Sequence, residues 1–289
     1  MAKGGTMAKQ LDKNWFAGQA ATNADREKVM DILEMREKAI RDHLFYTGEK
    51  VITLKLGTHL ISMRECAAPA SIEVFYEIFK ENDHFLHKDF LASDAEFILD
   101  IGANEGFYAL RLASINPAAQ ILCLEPNPFA FEILLKNISN NGLKNIVPLN
   151  AAVSSDGRLV NMEFVPQVPA IGGAKLRDVE RSWLKEDIVD RRMVKSTTVE
   201  QLVAQHFFQR IDILKIDVEG MEDEIVASLN PIAGKIRRIV VERHSEGLRN
   251  TVTDELVRLG FELIFEEDPK FERYYGDLYF VNRALEATG

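Results

Sequence analysis

The run Phe97-Ile98-Leu99-Asp100-Ile101-Gly102-Ala103-Asn104-Glu105-Gly106-Phe107-Tyr108 constrains this chain more than any other stretch. An apolar run breaks into two glycines that flank small polar residues, and helical periodicity follows. The pattern predicts a buried strand feeding a tight turn and then a helix, a geometry that lets backbone N–H groups approach a ligand closely. One βαβ unit downstream, Ile121-Leu122-Cys123-Leu124 ends in the carboxylate Glu125. A carboxylate there is placed to accept hydrogen bonds from ribose hydroxyls. The pair predicts an enzyme that binds a nucleoside-containing cofactor.

The rest of the chain fits an α/β fold. Strand patterns at 97–101, 121–125, 146–153, 211–217 and 238–242 alternate with helical patterns at 107–114, 128–140, 199–207, 222–229 and 251–259. Such alternation implies a mostly parallel sheet with helices on both faces. Two last apolar runs, 261–265 and 278–282, suit an antiparallel C-terminal hairpin at its edge. Upstream, 24–45 reads as an amphipathic helix capped by Asn23 or Asp25, 51–56 with 59–63 as a hairpin, and 71–80 as a helix. The expected division is a disordered or tag-like N-terminus (1–22), a helix-and-hairpin appendage (23–90) and a cofactor-binding domain (91–289). The segment Pro166 to Arg192, with Gly172-Gly173 and Trp183, reads either as a lid over the acceptor or as a surface excursion.

A formal net charge of −10 argues against a nucleic-acid partner, because phosphate contacts need clustered Lys and Arg. No apolar run reaches the length of a membrane span, so no membrane partner is expected either. Cys66 and Cys123 have no CxxC neighbour, which leaves no zinc or redox motif and suits a cytoplasmic setting.

A dinucleotide site would read G-x-G-x-x-G, yet Asn104 and Phe107 stand where two of those glycines belong. Polar residues between Gly102 and Gly106 suit an amino-acid tail better than a diphosphate. Asp100 can sit near an ammonium group. S-adenosylmethionine has those parts: an aminocarboxylate, a sulfonium and an adenosine. Farther along, Asp217 and Glu219 follow one strand, and Glu242 and His244 close the next. Carboxyl ends of strands face the ligand crevice and neighbouring strands lie ~5 Å apart, so these four can converge beside a transferred methyl. Lys215, inside an apolar strand, needs a partner, with Glu219 or Glu242 as candidates. His244 has a suitable intrinsic pKa for a general base; its other reading is a surface loop histidine. His43, His59, His84, His87 and His206 are expected outside the crevice.

Asp100-Ile101-Gly102-Ala103-Asn104-Glu105-Gly106, Leu124-Glu125-Pro126-Asn127-Pro128, Asn150-Ala151-Ala152-Val153-Ser154 and Leu214-Lys215-Ile216-Asp217-Val218-Glu219-Gly220-Met221-Glu222 together resemble the FkbM-type methyltransferases. The likeness runs from about Val74 to Val281 by order and spacing of motifs. It implies a Rossmann-like class I methyltransferase fold with a seven-stranded sheet. It also implies S-adenosylmethionine as donor and O-methylation of a small-molecule acceptor, a sugar or natural product. By the same resemblance Gly102, Asn104 and Gly106 contact the methionine part, Glu125 the ribose and the strand end at Ala152 the adenine. Catechol-type O-methyltransferases place acidic metal ligands at the ends of these strands. Here Glu242-Arg243-His244 replaces the adjacent Asp-Asn pair, so no metal is expected; Asp217 and Glu242 would be the pair to hold Mg²⁺ if it bound. The rivals are an NAD-type Rossmann oxidoreductase, disfavoured by Asn104 and Phe107, and a non-catalytic cofactor-binding scaffold.

Overall fold

A computed structural model of the chain describes residues 10–42, 46–82, 84–91, 93–168, 172–173, 189–206, 209–267 and 276–286. Helix α1 (Lys13–Gln19) begins at Asp12, whose Oδ1 accepts the N–H groups of Asn14 and Trp15 at 2.9 and 3.1 Å. Part of the segment expected to be disordered or tag-like, Lys13–Gln19, is thus helical, while residues 1–9 lie outside the described residues. Phe16 is fully buried, with its ring 5.4 Å from that of Tyr76, and Trp15 packs on the same ring at 5.3 Å, so two aromatics anchor this short helix. Helix α2 (Asn23–Asp42) is capped one residue earlier than expected. Thr22 Oγ1 accepts the Asp25 N–H at 3.0 Å and donates to the Asp25 carboxylate at 2.6 Å.

Strands β1 (Val51–Leu56) and β2 (His59–Arg64) form the expected antiparallel hairpin. Its open edge is closed by a helix. Asn137 of helix α5 (Pro128–Asn140) and Asn141, which caps its C-terminus, accept the N–H groups of Ser62 and Leu60 at 2.7 and 2.9 Å. They also donate to the carbonyls of the same two residues at 3.2 and 2.8 Å. Helix α3 (Ala68–Tyr76) then widens into a π turn at Glu77–Glu81. These N-terminal elements share one apolar cluster with the sheet, from Phe16 and Ile72 through to Ile98 and Ile121. They pack as part of the core.

The main sheet is built from β3 (Phe97–Ile101), β4 (Gln120–Leu124), β5 (Ile146–Leu149), β10 (Ile211–Ile216), β11 (Ile236–Arg243), β12 (Glu262–Glu266) and β13 (Gly276–Val281). Its order is β12-β13-β11-β10-β3-β4-β5, with β13 antiparallel to both β11 and β12 and the rest parallel. The sheet carries α4 (Phe107–Ile115), α5 (Pro128–Asn140), α6 (Val199–Gln205), α7 (Glu222–Ala227), α8 (Glu246–Arg258) and α9 (Arg283–Glu286). The chain runs outward from β3 through β4 and β5, then returns to the other side of β3 at β10. That reversal opens a crevice at the carboxyl ends of β3 and β10.

Two expectations change here. The single strand at 146–153 breaks at Asn150, and Ala152–Val153 becomes β6 of a second sheet ordered β6-β9-β7-β8. Its other strands are β7 (Leu159–Phe164), β8 (Gly172–Gly173) and β9 (Asp190–Thr197). Gly172 and Gly173 therefore pair with Phe164 and Glu163; Trp183 lies outside the described residues. The missed sheet had a period-two signal, since Val160, Met162 and Phe164 are buried. Among the described residues no helix is long and apolar enough to cross a membrane.

Because Phe16 belongs to the common core, Phe16→Ala is expected to cost ~3–5 kcal/mol, as for buried aromatic truncations generally. A urea midpoint equal to that of the wild type would show instead that α1 contributes nothing to folding.

Candidate active site

One cleft at the switch point gathers Gly102, Asn104, Glu125, Ala152, Asp217, Glu219, Glu242, His244 and, against expectation, His84. Two conformational facts build its first wall. Gly102 has φ +85°, and a Cβ there would lie 1.7 Å from the Asp217 carbonyl oxygen, so only glycine lets β3 and β10 end this close together. Asn104 follows in the left-handed region at φ +50° and turns its N–H toward Glu125 Oε2 at 2.7 Å. Gly106 faces away from the cleft, where a Cβ would strike Leu134 of α5 at 2.5 Å.

Glu125 stands just past β4. Its second oxygen accepts the Asn127 N–H at 2.7 Å. Burial raises its pKa to about 7 against those two backbone donors. Asn104 Oδ1 is buried with no hydrogen-bond partner among the described residues. An ammonium group would satisfy that orphan, and Glu125 keeps lone pairs for a diol. On these observations the residues present fit an S-adenosyl ligand. Ala151, Ala152, Val153 and Met162 add an apolar wall beyond Glu125. Beneath the loop, the Glu105 carboxyl is pushed up to about 8 by burial, against a hydrogen bond to Ser71 and the charge of Arg64. Phe129 does not line the cleft; the guanidinium groups of Arg64 and Arg192 lie over its ring, at 5.1 and 5.2 Å.

Asp100 does not line the cleft either. It is fully buried in β3, with Lys215 Nζ 3.6 Å away. The direct partners of Lys215 are Asp217 Oδ2 at 3.0 Å, Asp100, and the Gly102 carbonyl at 3.4 Å; of the two expected, Glu242 adds a smaller charge effect. Burial works against the charge of Lys215, but Asp217 and Asp100 outweigh it, so its pKa is raised. For Asp217 burial pushes upward, and Lys215, then His244, hold the pKa below the ordinary carboxylate range.

His244 is buried at 4 % exposure, which removes the reading of it as a surface loop residue. Its Nδ1 lies 2.7 Å from Glu222 Oε1, while Nε2 faces Glu219, Asp217 and Glu242 at 3.7, 3.8 and 3.9 Å. Burial opposes its protonation, yet Glu219 and Glu222 prevail and the imidazole pKa is well above the usual value. Glu242 is raised by burial and then by Asp217. Sequence reasoning found this convergence but missed Glu222, and it misplaced His84. His84 lies in the segment before β3, and both its backbone N–H and its Nδ1 meet the Asp277 carboxylate, at 3.0 and 2.9 Å. The two residues are 193 positions apart, so no local pattern could have joined them.

This sheet order, with a carboxylate past β4 and a polar loop where a dinucleotide fold cradles pyrophosphate, belongs to an S-adenosylmethionine-dependent methyltransferase. The Methyltransferase FkbM domain matches residues 100–263, more than half of the chain, and the chain belongs to that family. Among curated relatives, Methyltransferase sdnD of Sordaria araneosa is 27% identical over 225 residues, covering 65% of this chain and 86% of that protein. The 31-O-demethyl-FK506 methyltransferase FkbM of Streptomyces tacrolimicus is 27% identical over 222 residues, covering 68% of this chain and 84% of that protein. Hexuronic acid methyltransferase AglP of Haloferax volcanii is 25% identical over 154 residues, covering 53% and 58%.

The buried pair of His244 with Glu222 yields a direct test. His244→Ala leaves the Glu222 carboxylate buried without its imidazole, a change that costs ~3–5 kcal/mol when one partner of such a pair is lost. Chemical denaturation at neutral pH measures it; a loss below 1 kcal/mol, roughly the value of an exposed pair, would contradict the assignment.

Proposed function

We propose that the protein transfers the methyl group of S-adenosylmethionine to a hydroxyl oxygen of a small molecule, a sugar or a natural product. The observation that carries this reading is a single cleft. It joins the unsatisfied Asn104 amide oxygen and Glu125 on one side to Asp217, Glu219, Glu242 and His244 on the other. Relatives named for an O-demethyl FK506 and a hexuronic acid support an oxygen-bearing acceptor.

In this reading Gly102 and Asn104 hold the methionine part, with Gly106 keeping that loop packed on α5. Glu125 takes the ribose hydroxyls and Ala152 borders the adenine. The bound donor supplies an electrophilic methyl on a sulfonium. The chain itself has to align the acceptor hydroxyl, receive its proton and exclude water. Alignment contributes most, and a general base adds roughly 10²–10⁴-fold. His244 already holds a proton among its carboxylates, so it orients the acceptor. Asp217, ionised and facing the cleft, would take the hydroxyl proton as the O–C bond forms and the methyl–sulfur bond breaks to leave S-adenosylhomocysteine, while Glu219 borders the same position.

S-adenosylhomocysteine is expected to raise the melting temperature and NAD to leave it unchanged; a shift with NAD alone would return the chain to the oxidoreductases. Asp217→Asn should lower kcat roughly 10²–10⁴-fold with S-adenosylhomocysteine still bound, measured by transfer of labelled methyl to a panel of sugars and polyketide hydroxyls. Undiminished turnover removes Asp217 from the chemistry. A wild type that binds the cofactor and methylates nothing in the panel favours the scaffold.

Glu125 gives a pH signature. Its pKa is raised to about 7, so below that pH it carries a proton and offers fewer acceptor sites. A ribose diol favours the ionised form, so affinity for S-adenosylhomocysteine should rise with pH through about 7 and then level. Calorimetric titration from pH 6 to pH 8 reads the rise, and Glu125→Gln should flatten it; an equal slope in the variant would overturn the assignment.

A further inference from the structure

Three segments far apart in sequence bring one imidazole and two carboxylates to the floor of the cleft. His84 comes from the stretch before β3, Asp217 from the end of β10 and Glu242 from β11. Each offers one ligand atom, and these atoms all lie within 4.8 Å of one another. Opposite ligands of one divalent transition ion stand about 4.0–4.4 Å apart, twice a bond of 2.0–2.2 Å. Small side-chain adjustments therefore close the set. We propose that His84, Asp217 and Glu242 form a divalent-cation site that takes a transition-metal ion.

The surroundings support this independently of the cluster. His84 Nδ1 is committed to Asp277, whose carboxylate also accepts the His84 backbone N–H and the Tyr279 hydroxyl, at 3.0 and 2.9 Å. A carboxylate holding one ring nitrogen fixes the ring and leaves Nε2 to ligate, the usual outer support of a metal-bound histidine. Asp217 and Glu242 already stand side by side, joined by a side-chain hydrogen bond. Asp217 Oδ2 meets Lys215 at 3.0 Å, and its Oδ1 lies 3.8 Å from His244 Nε2 at the cleft. The local charge also calls for a cation. Among the described residues Asp100, Asp217, Glu219, Glu222 and Asp277 stand beside Glu242, which burial holds toward its neutral form, against Lys215, His84 and His244.

The mixed nitrogen and oxygen set favours Mn²⁺, Fe²⁺ or Zn²⁺ over Mg²⁺, which prefers oxygen ligands. The set extends the pair Asp217 and Glu242, the less favoured metal reading of the sequence, by a histidine expected outside the crevice. Three protein ligands leave positions open for acceptor oxygens. Resting on the methyltransferase reading, the ion's use would be to hold a hydroxyl and acidify it, and with Asp217 engaged as a ligand the proton would pass to Glu219, which borders the same position.

The test is Mn²⁺ binding to the full chain, by calorimetry and by loss of the free-ion electron paramagnetic resonance signal, with and without S-adenosylhomocysteine. One Mn²⁺ per chain is expected. Glu242→Gln and His84→Gln should each weaken it at least tenfold, and Asp277→Asn roughly 10–100-fold. S-adenosylhomocysteine affinity, measured on the same variants, serves as the check that they are folded. Absence of stoichiometric binding in a wild type that holds S-adenosylhomocysteine overturns the site. So does Mn²⁺ binding that all three variants retain, which would place the ion elsewhere. Mn²⁺ bound at these residues in a chain that does not bind S-adenosylhomocysteine would support the site and sink the cofactor reading instead.

Discussion

The buried ammonium of Lys215 is the interaction on which the cleft depends. It sits in β10 at 3 % exposure, with Asp100 of β3 beside it, Asp217 above it and the Gly102 carbonyl within reach. An isolated charge at that depth would be prohibitive, and excellent geometry with more than one partner is what makes it tolerable. The arrangement also locks β3 to β10 at the point where the strand order reverses. The turn at Gly102 can press against the Asp217 carbonyl only because the two strand ends are held in that register.

Above the lysine the molecule keeps an excess of acid. Asp217 stays ionised because Lys215 and His244 flank it, and Glu242 is pushed toward its neutral form by burial and by Asp217. His244 holds its proton for the complementary reason, with Glu219 and Glu222 around the ring. Neighbouring groups are thus driven to opposite protonation states, a pattern that concentrates at functional sites. A sulfonium, an ammonium or a metal ion entering the cleft meets a charge that suits it.

Much of this was legible in the residues. The strand and turn at 97–106, the carboxylate at 125 and the four groups at 217, 219, 242 and 244 were all readable, because each rests on local order: an apolar run, a glycine pair or a strand end. What failed had a different cause. Asp100 was expected at the ligand because it ends a strand beside the turn, but the lysine one strand away claims it. His84 gave no signal, since its meaning comes from Asp277 across the fold. The second sheet was overlooked because β9 carries Asp190, Arg191, Arg192 and Lys195, a polar sequence that pairs through its backbone with a strand whose other face is buried.

The asparagines of α5 carry a consequence for life in a crowded solution. A two-stranded hairpin at a protein's margin ordinarily displays a row of vacant donors and acceptors, an invitation for a neighbouring molecule to zip on. Here Asn137 and Asn141 imitate the missing strand with side-chain amides and occupy the positions at Leu60 and Ser62. The fold thereby blunts a template for polymer growth without spending a proline or a bulge on it.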